Sequence, residues 1–148
     1  MRKALTLFPL LVLPVLVYNL VAIFGGGGTD PSSPPILSSL DSAIFRMPML
    51  AGVKWHVSVG DSLLFFGLIM LFVEIVKATS TRSSAIVNHA ASMFVLLFCL
   101  IEFLLLKSFA TSTFFLLTMM CFLDVLAGVM VTIVSARRDF GVGDGFAG

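Results

Sequence analysis

Charge is what this chain has least of. Asp, Glu, Lys and Arg make up only 11% of its 148 residues, where ordinary soluble domains carry about 25%, and that shortage excludes a monomer whose whole surface meets water. Cysteine is nearly absent. Cys99 and Cys121 both lie in apolar runs, without a C-x-x-C companion or the density of a disulfide framework. They read as two packed thiols, on neighbouring helices where a bridge stays open. The two histidines, His56 and His89, lack the spacing of a metal or haem site. A net charge of +1 supplies no basic field for nucleic acid and no acidic tail. The glycines at 25–28 are not followed by the Lys-Ser/Thr of a phosphate loop, and the abundant Ser and Thr have no adjacent His-Asp set for nucleophilic catalysis. The expectation is a non-enzymatic protein with no cofactor and no metal.

What is there is apolar surface. Hydrophobic residues are 59% of the chain, with fifteen Phe and eight Met, and the mean hydropathy is +1.12. A membrane-crossing helix needs roughly 20 apolar residues, and the runs at 4–24, 59–78, 85–106 and 109–136 supply four. The expected fold is all-α: a polytopic transmembrane bundle of four helices, one integral membrane domain over 1–148. Its outer loop, 25–58, is expected to carry a short amphipathic helix, and its tail, 139–148, to be flexible.

The first run follows Arg2 and Lys3 as a secretory signal does. It is longer than the apolar region of about 7–15 residues that signals use, so an uncleaved anchor is expected, kinked at Pro9 and Pro14. Gly25 to Pro35 is a linker too rich in Gly and Pro for regular structure. Beyond it, Ser33 and Pro34 suit a helix start, and Ile36, Leu37, Leu40, Ala43, Ile44 and Met47 recur at helical spacing. Val53, Trp55, Val57 and Val59 then alternate with polar residues, which predicts a short extended stretch, with Trp55 at the membrane-water boundary. Lys and Arg near the helix ends divide six (Arg2, Lys3, Lys77, Arg82, Arg137, Arg138) against three (Arg46, Lys54, Lys107), favouring cytoplasmic termini.

Five polar residues fall inside the spans: Glu74, Asn88, His89, Glu102 and Asp124. Ionisable groups at such depth cost at least about 2.5–3.5 kcal/mol at a helix centre and turn toward the bundle interior. Gly60, Gly67 and Glu74 repeat every seven residues along one seam. Asn88, Ser92, Val95, Cys99 and Glu102 share a second line, and Thr113, Asp124, Gly128 and Ser135 a third. Counting outward from the Lys77–Ser84 turn brings Glu74 level with Asn88 and His89. Counting from the Lys107-Ser108 turn sets Asp124 opposite Val95, near mid-membrane, with Glu102 about two turns nearer the outer surface. Two readings follow. The groups form a proton relay from His89 and Glu74 through Asp124 to Glu102 and Asp61, or they hydrogen-bond across helices and fix their register.

The stretch from Gly60-Asp61-Ser62-Leu63-Leu64 to Val73-Glu74-Ile75-Val76-Lys77-Ala78-Thr79, with Ala136-Arg137-Arg138-Asp139, resembles small uncharacterised four-helix inner-membrane proteins of proteobacteria over most of residues 55–140. The resemblance implies a bacterial inner (cell) membrane and carries no activity. Expected partners are the lipid bilayer and other membrane proteins or further copies of the chain, not nucleic acid. The leading expectation is an accessory or scaffold subunit of a larger membrane complex. The alternative is an oligomeric proton or small-ion pathway using Asp124. Transporters usually show two related halves or broken helices at matching positions; no such repeat is visible here, which favours the accessory reading.

Overall fold

The computed structural model describes residues 8–25, 32–78 and 84–143. Outside them lie Arg2, Lys3 and the start of the expected first helix, most of the glycine linker, the centre of the Lys77–Ser84 turn and residues 144–148. The described elements run α1 (Val12–Phe24), α2 (Leu37–Leu40), β1 (Ala43–Pro48), β2 (Lys54–Ser58), α3 (Val59–Ala78), α4 (Ser84–Leu105), a 3₁₀ turn (Lys107–Phe109) and α5 (Ser112–Gly143).

Three of these helices are long and apolar enough to cross a membrane, over Val59–Ala78, Val87–Leu105 and Ser112–Val134. The described α1 is not. Its 13 residues cover about 20 Å at 1.5 Å per residue, against a hydrocarbon core of about 30 Å. Pro9 lies before this helix rather than inside it, in a turn where Val12 N–H bonds Pro9 O, and Pro14 falls in its first turn, where a missing N–H costs little. Among the described residues three spans and a short apolar helix are present, and the first residues of the expected fourth span lie outside them. At the other end, α5 continues to Gly143, past the expected stop at 136 and into the part of the tail expected to be flexible.

The amphipathic helix expected at 36–47 is corrected. Only Leu37–Leu40 is helical; from Ala43 the chain extends and pairs antiparallel with β2. The apolar spacing 36, 37, 40 fits a helix, but 43 to 47 is satisfied equally by a strand once the alternating stretch at 54–58 is beside it. Met49 N–H bonds Val53 O and Gly52 N–H bonds Met49 O to close the turn. Gly52 sits at φ +79, a left-handed conformation that glycine enters without a Cβ penalty.

β2 passes straight into α3 through a reciprocal cap. Asp61 N–H donates to Ser58 Oγ (3.1 Å) and Ser58 N–H to Asp61 Oδ2 (3.0 Å), the Ser-x-x-acid form of a capping box. Asp61, expected as the outer end of a relay, is thus an exposed helix cap.

α3 and α4 each pack more extensively on α5 than on each other. Along α3 the buried residues are Gly60, Leu63, Gly67, Leu71 and Glu74, the expected seven-residue seam with its apolar companions. It fits α5 closely: a Cβ on Gly60 would lie 3.0 Å from Thr113 Oγ1, and one on Gly67 2.9 Å from Leu117 Cδ2 and Met120 Sδ. Small residues let helix backbones approach where no water is available to drive association. Phe65, Phe72, Phe94 and Leu104 point outward, more than half exposed, as lipid-facing side chains do. α1 lies antiparallel across α3 and α5, and its Tyr18 is fully buried, 4.7 Å from Phe114 and 5.4 Å from Phe109 between ring centroids.

Candidate functional site

Four of the five intramembrane polar residues fall into three groupings, and His89 is seated by itself. The first is a charged node where α3 ends. Glu74 is completely buried and all its accepting capacity is used. Oε2 accepts Leu10 N–H at 3.0 Å, Oε1 accepts the Asn88 amide, and Lys77 Nζ stands 3.1 Å from both oxygens. Lys77 also donates to Phe8 O at 2.9 Å and reaches Asn88 Oδ1 at 3.4 Å. Three ammonium protons thus meet three kinds of acceptor. Leu10 N–H belongs to the unsatisfied donors before a helix, and a carboxylate there is favoured by the helix dipole. The structure brings Glu74 and Asn88 together, as the counting from the turn anticipated. It adds Lys77, which the sequence reading had assigned to a cytoplasmic loop.

His89 takes no part in that node. Its ring lies against the backbone of Gly128: a Cβ on that glycine would run into Nδ1 and come within 2.8 Å of Cε1 and 3.1 Å of Cγ. Glycine at 128 is what lets the imidazole seat between α4 and α5.

The second grouping is centred on Asp124, 4% exposed, four residues from Gly128 and hence on the same face of α5. Its polar neighbour across the α4–α5 contact is Ser92, while Glu74, His89 and Lys77 lie within electrostatic reach. Asp124 therefore opposes Ser92 rather than Val95, about one turn nearer the Glu74 node than expected. The Ser92 hydroxyl is fully buried and stands beside the Asp124 carboxyl, close enough to act on it as a donor though short of strict hydrogen-bond geometry.

The third grouping ties α1 to the α4–α5 hairpin. Glu102, 5% exposed, accepts from Asn19 Nδ2 at 3.2 Å, and the same amide donates to Val15 O. The preceding residue, Tyr18, donates to Ser108 O at 2.9 Å and meets Thr111 Oγ1 at 2.6 Å. Thr111 Oγ1 in turn accepts Phe114 N–H at 3.1 Å, capping α5. Tyr18, Asn19 and Thr111 were not singled out from sequence. Their partners lie 83 to 93 residues away, and only their polarity inside apolar runs marked them.

Between these groupings Cys99 and Cys121 are buried, free and in mutual contact. Among the described residues no group of three His, Cys, Asp or Glu side chains gathers as a metal ion would need. Comparison of the chain with protein-family models, with curated proteins and with solved structures yields no match.

Proposed function

We propose that this chain is a non-enzymatic integral membrane protein that acts as an accessory or scaffold subunit of a larger membrane complex. The observation that carries the reading is how the buried polar groups are used. Glu74, Lys77 and Asn88 are consumed in holding the start of α1 against α3 and α4, and Glu102, Asn19 and Tyr18 in holding its other half to the α4–α5 hairpin. Side chains spent this way set helix register and position. They present no chain of free acceptors to a moving proton. Long outward faces rich in Phe and Leu on α3, α4 and α5 remain for lipid or neighbouring helices. Residence in a bacterial inner membrane, kinship with the small four-helix inner-membrane proteins, and cytoplasmic termini belong to the same proposal. The test is extraction of the tagged protein from native membranes in mild detergent, followed by the mass and composition of its particle. Stoichiometric partner proteins support the reading, and a particle of this chain alone overturns it.

One observation favours a second reading, an oligomeric proton or small-ion pathway through Asp124. Asp124 is almost fully buried and its polar neighbour across the α4–α5 contact is a single hydroxyl, that of Ser92, so its carboxyl is not taken up in a joint between helices as Glu74 is. Proteoliposomes carrying a pH gradient decide this. Flux that Asp124→Asn abolishes supports the pathway; no flux, or flux unchanged by the substitution, removes it.

A further inference from the structure

The hairpin β1–β2 is the one described region whose surface neither the bundle nor the spanning helices explain. Its cross-strand pairs sort by chemistry. Phe45 pairs with Val57 and Met47 with Trp55 on one face, while Arg46 pairs with His56 and Pro48 with Lys54 on the other. Ile44 is the extra residue at the register shift between Ala43 and Phe45. The result is an amphipathic ribbon with an aromatic, sulfur-rich side and a cationic side. No acidic residue occurs between Asp41 and Asp61, and Asp61 is engaged in capping α3. An isolated two-stranded hairpin is marginal in water and needs a surface to lie on.

Two features say which surface. The only buried side chain of the strands is Val57, on the apolar face at the hairpin root, so this face turns toward the bundle end and whatever surrounds it. The same face bares Phe45 opposite Val57 and, further out, Met47 and Trp55, each about half exposed, and the turn bares Met49, Leu50 and Val53. The root is also held at the mouth of a spanning helix, since β2 enters α3 without a linker and Val59 N–H bonds Ser42 O at 3.0 Å. What surrounds the bundle end at the start of α3 is the headgroup layer of the bilayer.

We infer that the hairpin is a bilayer-docking element: it lies along the leaflet at the α3 start, Met47, Trp55 and the Met49–Val53 turn entering the headgroup-acyl boundary, with Arg46 and Lys54 drawing it to anionic lipid. Tryptophan belongs at that boundary, and interfacial elements combine apolar burial with attraction to anionic headgroups. Strand residues advance about 3.3 Å each, so a docked ribbon reaches over roughly 17 Å of lipid surface from Ser58 to Val53. Docking of this kind restrains the depth and tilt of the bundle in the bilayer.

Trp55 is the sole tryptophan, which makes the intact protein its own reporter. Reconstituted in vesicles of phosphatidylcholine and phosphatidylglycerol, its emission is expected to be blue-shifted, shielded from acrylamide, and quenched by lipids brominated near the headgroup end of their chains. Because Trp55 is close to α3, the double variant Leu50→Trp, Trp55→Phe moves the probe to the turn. Quenching of that probe by brominated lipid is expected of a ribbon lying down, whereas a red-shifted, acrylamide-accessible probe overturns the proposal. Replacing Arg46 and Lys54 by Gln, or omitting phosphatidylglycerol, is expected to lower the docked-to-undocked ratio by roughly fivefold for each cation removed and to abolish its salt dependence. Shielding that follows protein-to-lipid ratio and ignores lipid bromination would mean a second copy covers the face, and that also overturns it.

Discussion

Glu74 and Asp124 are two carboxyl side chains of one apolar bundle, within electrostatic reach of each other and both almost free of solvent contact, yet their surroundings are opposite. Glu74 accepts from a backbone N–H, an amide and an ammonium group; Asp124 has one hydroxyl beside it, that of Ser92. The contrast separates two uses of a buried acid. A carboxylate with three donors is a joint, and the joint here fastens the short helix α1, which lacks the length to be held by lipid alone. An acid left with one hydroxyl contributes little to the joints, so packing and register give no reason for it to be Asp.

The widest gap between the two should come from matched isosteric substitutions. Glu74→Gln turns an acceptor into a partial donor facing Leu10 N–H and the Asn88 amide, and leaves the Lys77 ammonium without its counter-charge. Breaking a buried pair from one side costs about 3–5 kcal/mol. Unfolding in mixed micelles is expected to show a loss of that order, and a loss below about 1 kcal/mol would end the distinction. Gly128→Ala comes next, because its Cβ meets the His89 ring. Overpacking of this kind costs about 1–3 kcal/mol, and His89→Ala in the same chain should recover most of it, with a coupling above about 0.5 kcal/mol in the double-mutant cycle. Tyr18→Phe keeps the ring against Phe109 and Phe114 but removes the bonds to Ser108 O and Thr111 Oγ1. Its expected cost is ~1 kcal/mol, read in the same titration.

Where sequence reasoning succeeded and failed along this chain has a physical pattern. The spans from Val59 onward were legible because lipid demands length and apolarity, both local properties. The Gly60-Gly67-Glu74 seam was legible from its period, and the Glu74–Asn88 contact from counting residues out of a short turn. The hairpin was half legible. Alternation at 54–58 marked one strand, but Ala43–Pro48 reads as helix until its partner is known, because strand pairing is a tertiary fact. Lys77 has a second role that its position did not show. Its position at the end of a span made it a topology marker, whereas its four-carbon stem lets it turn back to Glu74 and Phe8 O. For α1 the apolar run from residue 4 suggested a full span, yet the described helix starts only at Val12, and what holds it are side-chain bonds to residues more than sixty positions away.

The smallest expected effect is the most discriminating. Asp124→Asn preserves shape and removes the ability to ionise, and with one hydroxyl as its polar neighbour the side chain has few bonds to lose. Its amide can donate to the Ser92 oxygen, which the unprotonated acid cannot. The stability change is therefore expected to stay within about 0.6 kcal/mol, the average for a polar contact between membrane helices, and its sign can favour the variant. Measured beside Glu74→Gln under the same titration, a near-zero value keeps Asp124 apart from the joints that hold α1. A cost as large as that of Glu74→Gln would make Asp124 one more joint, remove the reason for seeking a proton site beside Ser92, and leave the scaffold reading to account for every buried acid in the bundle.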